Sequence, residues 1–81
     1  MDNKKLTKFE KILKTMSVDE KSQVMRHLNE LENMFKSKVV ENNENWFDAI
    51  GEDEVLRNIF ICSCIASNEW FVAYKRSKSN N

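Results

Sequence analysis

Residues Val55 to Tyr74 read Val-Leu-Arg-Asn-Ile-Phe-Ile-Cys-Ser-Cys-Ile-Ala-Ser-Asn-Glu-Trp-Phe-Val-Ala-Tyr and hold most of the bulky apolar side chains of the second half of the chain. Wound as a helix or extended as strands, this stretch has apolar residues on every side, and an element that is hydrophobic all round has to be covered all round. The rest of the chain is therefore expected to pack around it.

Two conformations compete for the stretch. Ile59 to Ile65 and Trp70 to Tyr74 are rich in β-branched and aromatic residues, and Ser67-Asn68-Glu69 between them could turn a hairpin. Against this, Glu52-Asp53-Glu54 opens the stretch and Lys75-Arg76 closes it. Acids at the start and bases at the end complement a helix dipole, which a strand pair lacks. Tight hairpin turns also favour glycine beside Asn or Asp, and none is present here. The spacing thus predicts one helix from about Asp53 to Ser67 and another from about Asn68 to Arg76, separate or fused; the alternative is an α+β chain with a C-terminal hairpin over 59–75.

The remainder favours helices, because proline is absent and the only glycine is Gly51. A first helix is expected from Lys4 to Met16, with Leu6, Phe9, Ile12, Leu13 and Met16 on one face and Lys4, Lys8, Lys11 and Lys14 on the other. Ser17 stands three residues before Glu20, the spacing of a capping box, and Asp19 and Glu20 suit the positive end of the helix that follows. Its seam is Val24, Leu28, Leu31, Phe35 and Val39, widened by Met25 and Met34. The short link between these helices predicts a pair burying Leu6, Phe9 and Leu13 against Leu28, Leu31 and Phe35. Residues 41–45 read as a loop, and Trp46, Phe47 and Ile50 as a short helical turn, capped by Asn43 or Asn45 and closed by Gly51 in the left-handed conformation. The expected fold is all-α, a small bundle of four to five helices around the C-terminal stretch. Residues 1–77 form one domain and 78–81 a frayed tail.

At 81 residues the chain sits where folding buries only about 60% of the unfolded surface, so its stability needs a dense core, a staple or a partner. Cys62 and Cys64 are too close in sequence to bridge each other readily and form no disulfide framework; within the most apolar run they read as core fillers. His27, the one histidine, lies far from them, so neither a zinc spacing nor a cofactor is indicated. No sequence feature pairs His27 with a nucleophile and an orienting carboxylate, and it reads as an ordinary boundary residue. The expectation is a protein that is not an enzyme.

Net charge is zero, but the layout runs basic, acidic, basic. Residues 41–54 hold Glu41, Glu44, Asp48, Glu52, Asp53 and Glu54 with no base, whereas five lysines precede Met16 and Lys75, Arg76 and Lys78 follow Tyr74. The lysine-rich N-terminus lacks the apolar run of a secretory leader and no apolar stretch reaches the ~20 residues of a membrane span, so a soluble, cytoplasmic protein is expected. Abundant Lys, Asn, Glu and Ile fit AT-rich coding DNA, hence a bacterial or phage origin. The aromatic load is heavy for so small a body, and Trp and Tyr are over-represented at binding hot spots. These features predict a non-enzymatic protein-binding module, a small regulatory or inhibitor protein. Its candidate contact residues are Trp46, Phe47, Asp48, Glu52, Asp53, Trp70, Phe71 and Tyr74. A homodimer through the C-terminal half is expected to cover the apolar surplus. The alternative is a small dimeric nucleic-acid-binding regulator using the first helix's lysine face and the basic tail. The Met-Ser-Val-Asp-Glu-Lys pattern before a leucine seam points to no particular family.

Overall fold

The computed structural model describes residues 7–79, in which four helices follow one another: α1 (Lys8–Lys14), α2 (Val18–Glu41), α3 (Trp46–Glu52) and α4 (Glu54–Ser79). The chain is all-α, with no strand among the described residues. Lys4 and Leu6, expected in the first helix, lie outside them.

Side chains that satisfy orphan backbone N–H groups set each helix start. Thr7 is extended, its Oγ1 accepts from the Glu10 N–H at 3.2 Å, and its own N–H donates to Glu10 Oε1 at 3.1 Å. This capping box starts α1 at Lys8, later than the expected Lys4, and the helix stops at Lys14, short of Met16. Ser17 and Glu20 form the second box, as their spacing predicts. Asn45 caps α3 by accepting from the Asp48 N–H at 3.1 Å.

Gly51 corrects an expectation. It lies inside α3 without positive φ, and the left-handed residue is instead Asn43, at φ 62° in the α2–α3 loop. Asp53 ends α3. It is extended, and its Oδ1 accepts from the Leu56 N–H at 3.0 Å, which starts α4 at once. Arg57 then reaches back to the Ile50 and Gly51 carbonyls, each at 3.2 Å, and ties α3 to the first turn of α4.

The hairpin alternative is overturned, since 59–75 lies wholly within α4, and the expected pair of helices is one continuous helix running through Ser79. Strand propensity loses here because a helix satisfies its own backbone, and the acidic start and basic end reinforce it.

The central place of Val55–Tyr74 is visible in the packing: α4 contacts α1, α2 and α3, most extensively α2. Lys21 on α2 meets Glu69, and Asn29 accepts a hydrogen bond from the Ser63 hydroxyl, so α2 and α4 run antiparallel. The expected α1–α2 pair is replaced by packing of α1 on α4. Small side chains at the centre of α4, Ser63 and Ala66, are buried against this layer. Among the described residues Leu13 is the largest side chain fully buried, and Trp46 and Ala49 complete the buried apolar set. The radius of gyration is 14.7 Å, against about 12 Å for a compact domain of this length.

One carboxylate joins three helices. Glu69 Oε2 accepts from Lys14 Nζ at 2.5 Å, and Glu69 Oε1 lies 3.6 Å from Lys21 Nζ. The Lys14 hydrogen bond is the strongest influence holding the Glu69 carboxyl below its ordinary 4.5; partial burial opposes it, and the charges of Lys14 and Lys21 add to the lowering. Lys21 is itself buried, so removing its counter-charge is costly.

Glu69→Gln is expected to lower stability at neutral pH by about 1–3 kcal/mol, less than a fully buried pair because Lys14 is half exposed. The carboxyl is lowered in the folded state, so its contribution is complete above pH 4.5 and is lost as pH falls through the folded value. Urea midpoints of the two proteins should therefore converge in acid; equal midpoints at pH 7 would refute the role. Gly51→Ala should stabilise by about 0.5–1 kcal/mol, because Gly51 is helical and an added Cβ meets no atom within 4 Å. A lowered melting temperature would contradict that assignment.

Candidate functional site

The eight contact residues expected from the sequence fall into two groups. Trp46, Phe47, Asp48 and Glu52 are on α3 and Asp53 directly follows it, whereas Trp70, Phe71 and Tyr74 are on the C-terminal half of α4. From Asp53 to Phe71 the helix rise alone amounts to about 27 Å, so the two groups form separate surfaces.

Within the α3 group, adjacent aromatics part company. Trp46 is 5% exposed and Phe47 73%. Trp46 and Ala49 form the inward side of the short helix, and the Trp46 indole Nε1 is buried with no acceptor among the described residues. Trp46 is therefore an anchor rather than a contact residue. Phe47 stands out from a turn fixed by the Asn45 cap at one end and Arg57 at the other. A concave surface of about 450 Å³ at α3 is lined by Asn43, Glu44, Asn45, Asp48, Ala49 and Glu52 and does not include Phe47. Its charged groups are all carboxylates. Asp53 is exposed but is spent as the α4 cap.

In the α4 group, Trp70 is half-buried and stacks on Tyr74, ring centroids 5.1 Å apart at 21°. Phe71 and Tyr74 are exposed, with Lys75 Nζ 5.4 Å from the Phe71 ring centre and Lys78 Nζ 5.6 Å from that of Tyr74. The sequence's basic tail is thus the last helical turns, laid against aromatic rings.

Several expected core residues lie outside. Leu31 and Phe35 are 39% and 40% exposed and, with Met34, Ser37 and Lys38, line an apolar groove of about 370 Å³. They were expected against the first helix, which packs on α4 instead. Cys64 is exposed and only Cys62 is half-buried, so the core-filler reading of Cys64 fails. Conversely, Lys21 and Ser63 are buried polar residues that apolar periodicity does not select. Their signal was a charge and a hydroxyl falling on inward helix faces.

His27 is exposed, with Nδ1 4.0 Å from Glu30 Oε1. Among the described residues no group of three or more His, Cys, Asp or Glu is placed to hold a metal ion, and no helix is long and apolar enough to cross a membrane. No family model matches the chain, and no curated protein or solved structure is significantly similar to it.

The two thiols should differ in reactivity, since access limits attack on a disulfide reagent. Ellman's reagent is expected to give a fast phase abolished by Cys64→Ser and a slower one from Cys62. Loss of the slow phase on Cys64→Ser would contradict the exposures.

Proposed function

We propose that the protein is a non-enzymatic binding module, a small regulatory or inhibitor protein, that meets another protein through α3. One observation carries the reading: Phe47 is 73% exposed on a turn held rigid at both ends. An aromatic ring carried on two side-chain torsions above a held backbone loses little conformational freedom on binding, a property shared by interface anchors. The carboxylates of Glu44, Asp48 and Glu52, which line a separate concave surface at α3, fit a partner with basic groups around its apolar pocket, and opposite charge steers such an encounter.

A dimeric nucleic-acid regulator is the second reading, and Lys75 and Lys78 over aromatic rings favour it. Lys14 speaks against the lysine face of α1, because it is engaged by Glu69. Such a regulator would bind duplex with an affinity falling steeply with salt, lost on Lys8→Glu and Lys11→Glu.

The test is affinity capture from the native host with wild-type protein, Phe47→Ala, and Asp48→Lys with Glu52→Lys. A stoichiometric partner should be lost with Phe47→Ala, by about 2 kcal/mol or more for a hot-spot anchor. The charge reversals should slow its association, while circular dichroism stays unchanged. Undiminished capture by Phe47→Ala, or salt-sensitive duplex binding with no protein partner, would overturn the proposal.

A further inference from the structure

On the side turned away from α2, α4 carries a second apolar seam. Ile61, Ile65, Asn68 and Val72 recur at intervals of four, three and four, the heptad spacing of a helix-packing face. At 100° per residue they fall on the side opposite Ser63 and Ala66. Exposure agrees: Ile61 and Val72 are each 43% exposed and Phe71, on the flank of the seam, 51%, whereas Ser63 is 2% and Ala66 0% exposed. At its centre the helix turns small residues inward and bulky ones outward. From Asn58 to Tyr74 the one charged residue is Glu69, which is bound to Lys14 and Lys21 on the inner side.

We propose that this face is covered by a second copy of the chain, the two α4 helices packing antiparallel across a two-fold axis. Charge selects both the occupant and the direction. Asp53 and Glu54 lie at the N-terminal end of α4, where Arg57 is turned back to the Ile50 and Gly51 carbonyls, and Lys75, Arg76 and Lys78 lie at its C-terminal end. An antiparallel copy sets the acidic end of each helix against the basic end of the other and opposes the two helix dipoles, whereas a parallel copy stacks like on like. The uncharged middle complements itself. Matching the heptad positions of antiparallel strands places Ile61 against the partner subunit's Val72 and Ile65 against the partner subunit's Asn68. The axis then passes between residues 66 and 67.

The area sets the strength. From Glu54 to Arg76 the face is about 33 Å long and about 10 Å wide, smaller than the standard specific interface, so the dimer is weak and forms reversibly with concentration. The α3 surface takes no part, so this inference and the proposed function stand or fall separately.

Sedimentation velocity over roughly 10 μM to 1 mM tests it, the range in which a weak dimer dissociates. The apparent mass should rise from 9.6 kDa towards twice that value. Val72→Asp and Ile61→Glu, both at exposed positions, should weaken association at least tenfold with helical circular dichroism intact, while Phe47→Asp associates like wild type. Direction is read by disulfide trapping in a Cys62→Ser, Cys64→Ser background. Mixing Ile61→Cys with Val72→Cys should give the mixed disulfide in preference to either self-disulfide. A mass of 9.6 kDa at every concentration, unaltered association in both seam variants, or a dominant Ile61→Cys self-disulfide would overturn the proposal.

Discussion

Three of the four helices meet at a single carboxylate. Glu69 on α4 accepts from Lys14 on α1 and lies beside Lys21 on α2, and Lys21 is buried. An ammonium withdrawn from water needs a partner, so the position of Lys21 commits α2 to this register against Glu69. Eight residues further along α2, Asn29 accepts from Ser63 on α4, and the two polar contacts together set direction as well as register. Apolar packing between helices tolerates sliding, whereas an ion pair on a buried lysine with a hydrogen bond along the same line does not. The largest fully buried side chain, Leu13, precedes Lys14 directly, so the ion pair also holds α1 where its leucine is covered.

The balance of inside and outside follows from size and shape. Two long helices laid antiparallel with two short ones form an elongated body, with principal extents of 48, 31 and 17 Å. Such a body encloses little volume, and few large side chains can be buried on all sides at once. Small residues at the α4 crossing allow close approach, as Ser63 and Ala66 do here, and the bulky residues on the other side of the helix remain in contact with solvent. The surplus is ordered: Ile61 and Val72 lie along one seam, Leu31, Met34 and Phe35 along one groove, and Phe47 on a separate turn. Contiguous apolar patches of this kind mark association surfaces in small proteins far more often than scattered single residues do.

Much of this was legible in the residues. Ser17 with Glu20, Asn45 before the Trp46 turn, and acids before Val55 with bases after Tyr74 are local signals, each settled within a turn or two of helix, and each stands where the spacing predicts. Glycine is the usual helix terminator, yet Gly51 stays helical; Asp53 ends α3 instead by turning extended and capping the next helix. Residue type alone does not separate Trp46 from Phe47. One residue step rotates a helix by 100°, and that rotation sends the first ring inward and the second into solvent.

What the sequence determined by itself is the all-helical backbone, the Ser17 and Asn45 caps and the central place of Val55 to Tyr74, because hydrogen bonds and periodicity within a segment carry that information. Only the tertiary structure decided that α1 packs on α4 rather than α2, that Lys21 and Ser63 are inside while Leu31, Phe35 and Cys64 are not, and that α4 turns its bulky seam away from its neighbours. An element apolar on every face has no preferred inward side of its own. The side is chosen by what docks against it, and here that choice follows the Glu69 ion pairs and the small residues that let α2 approach.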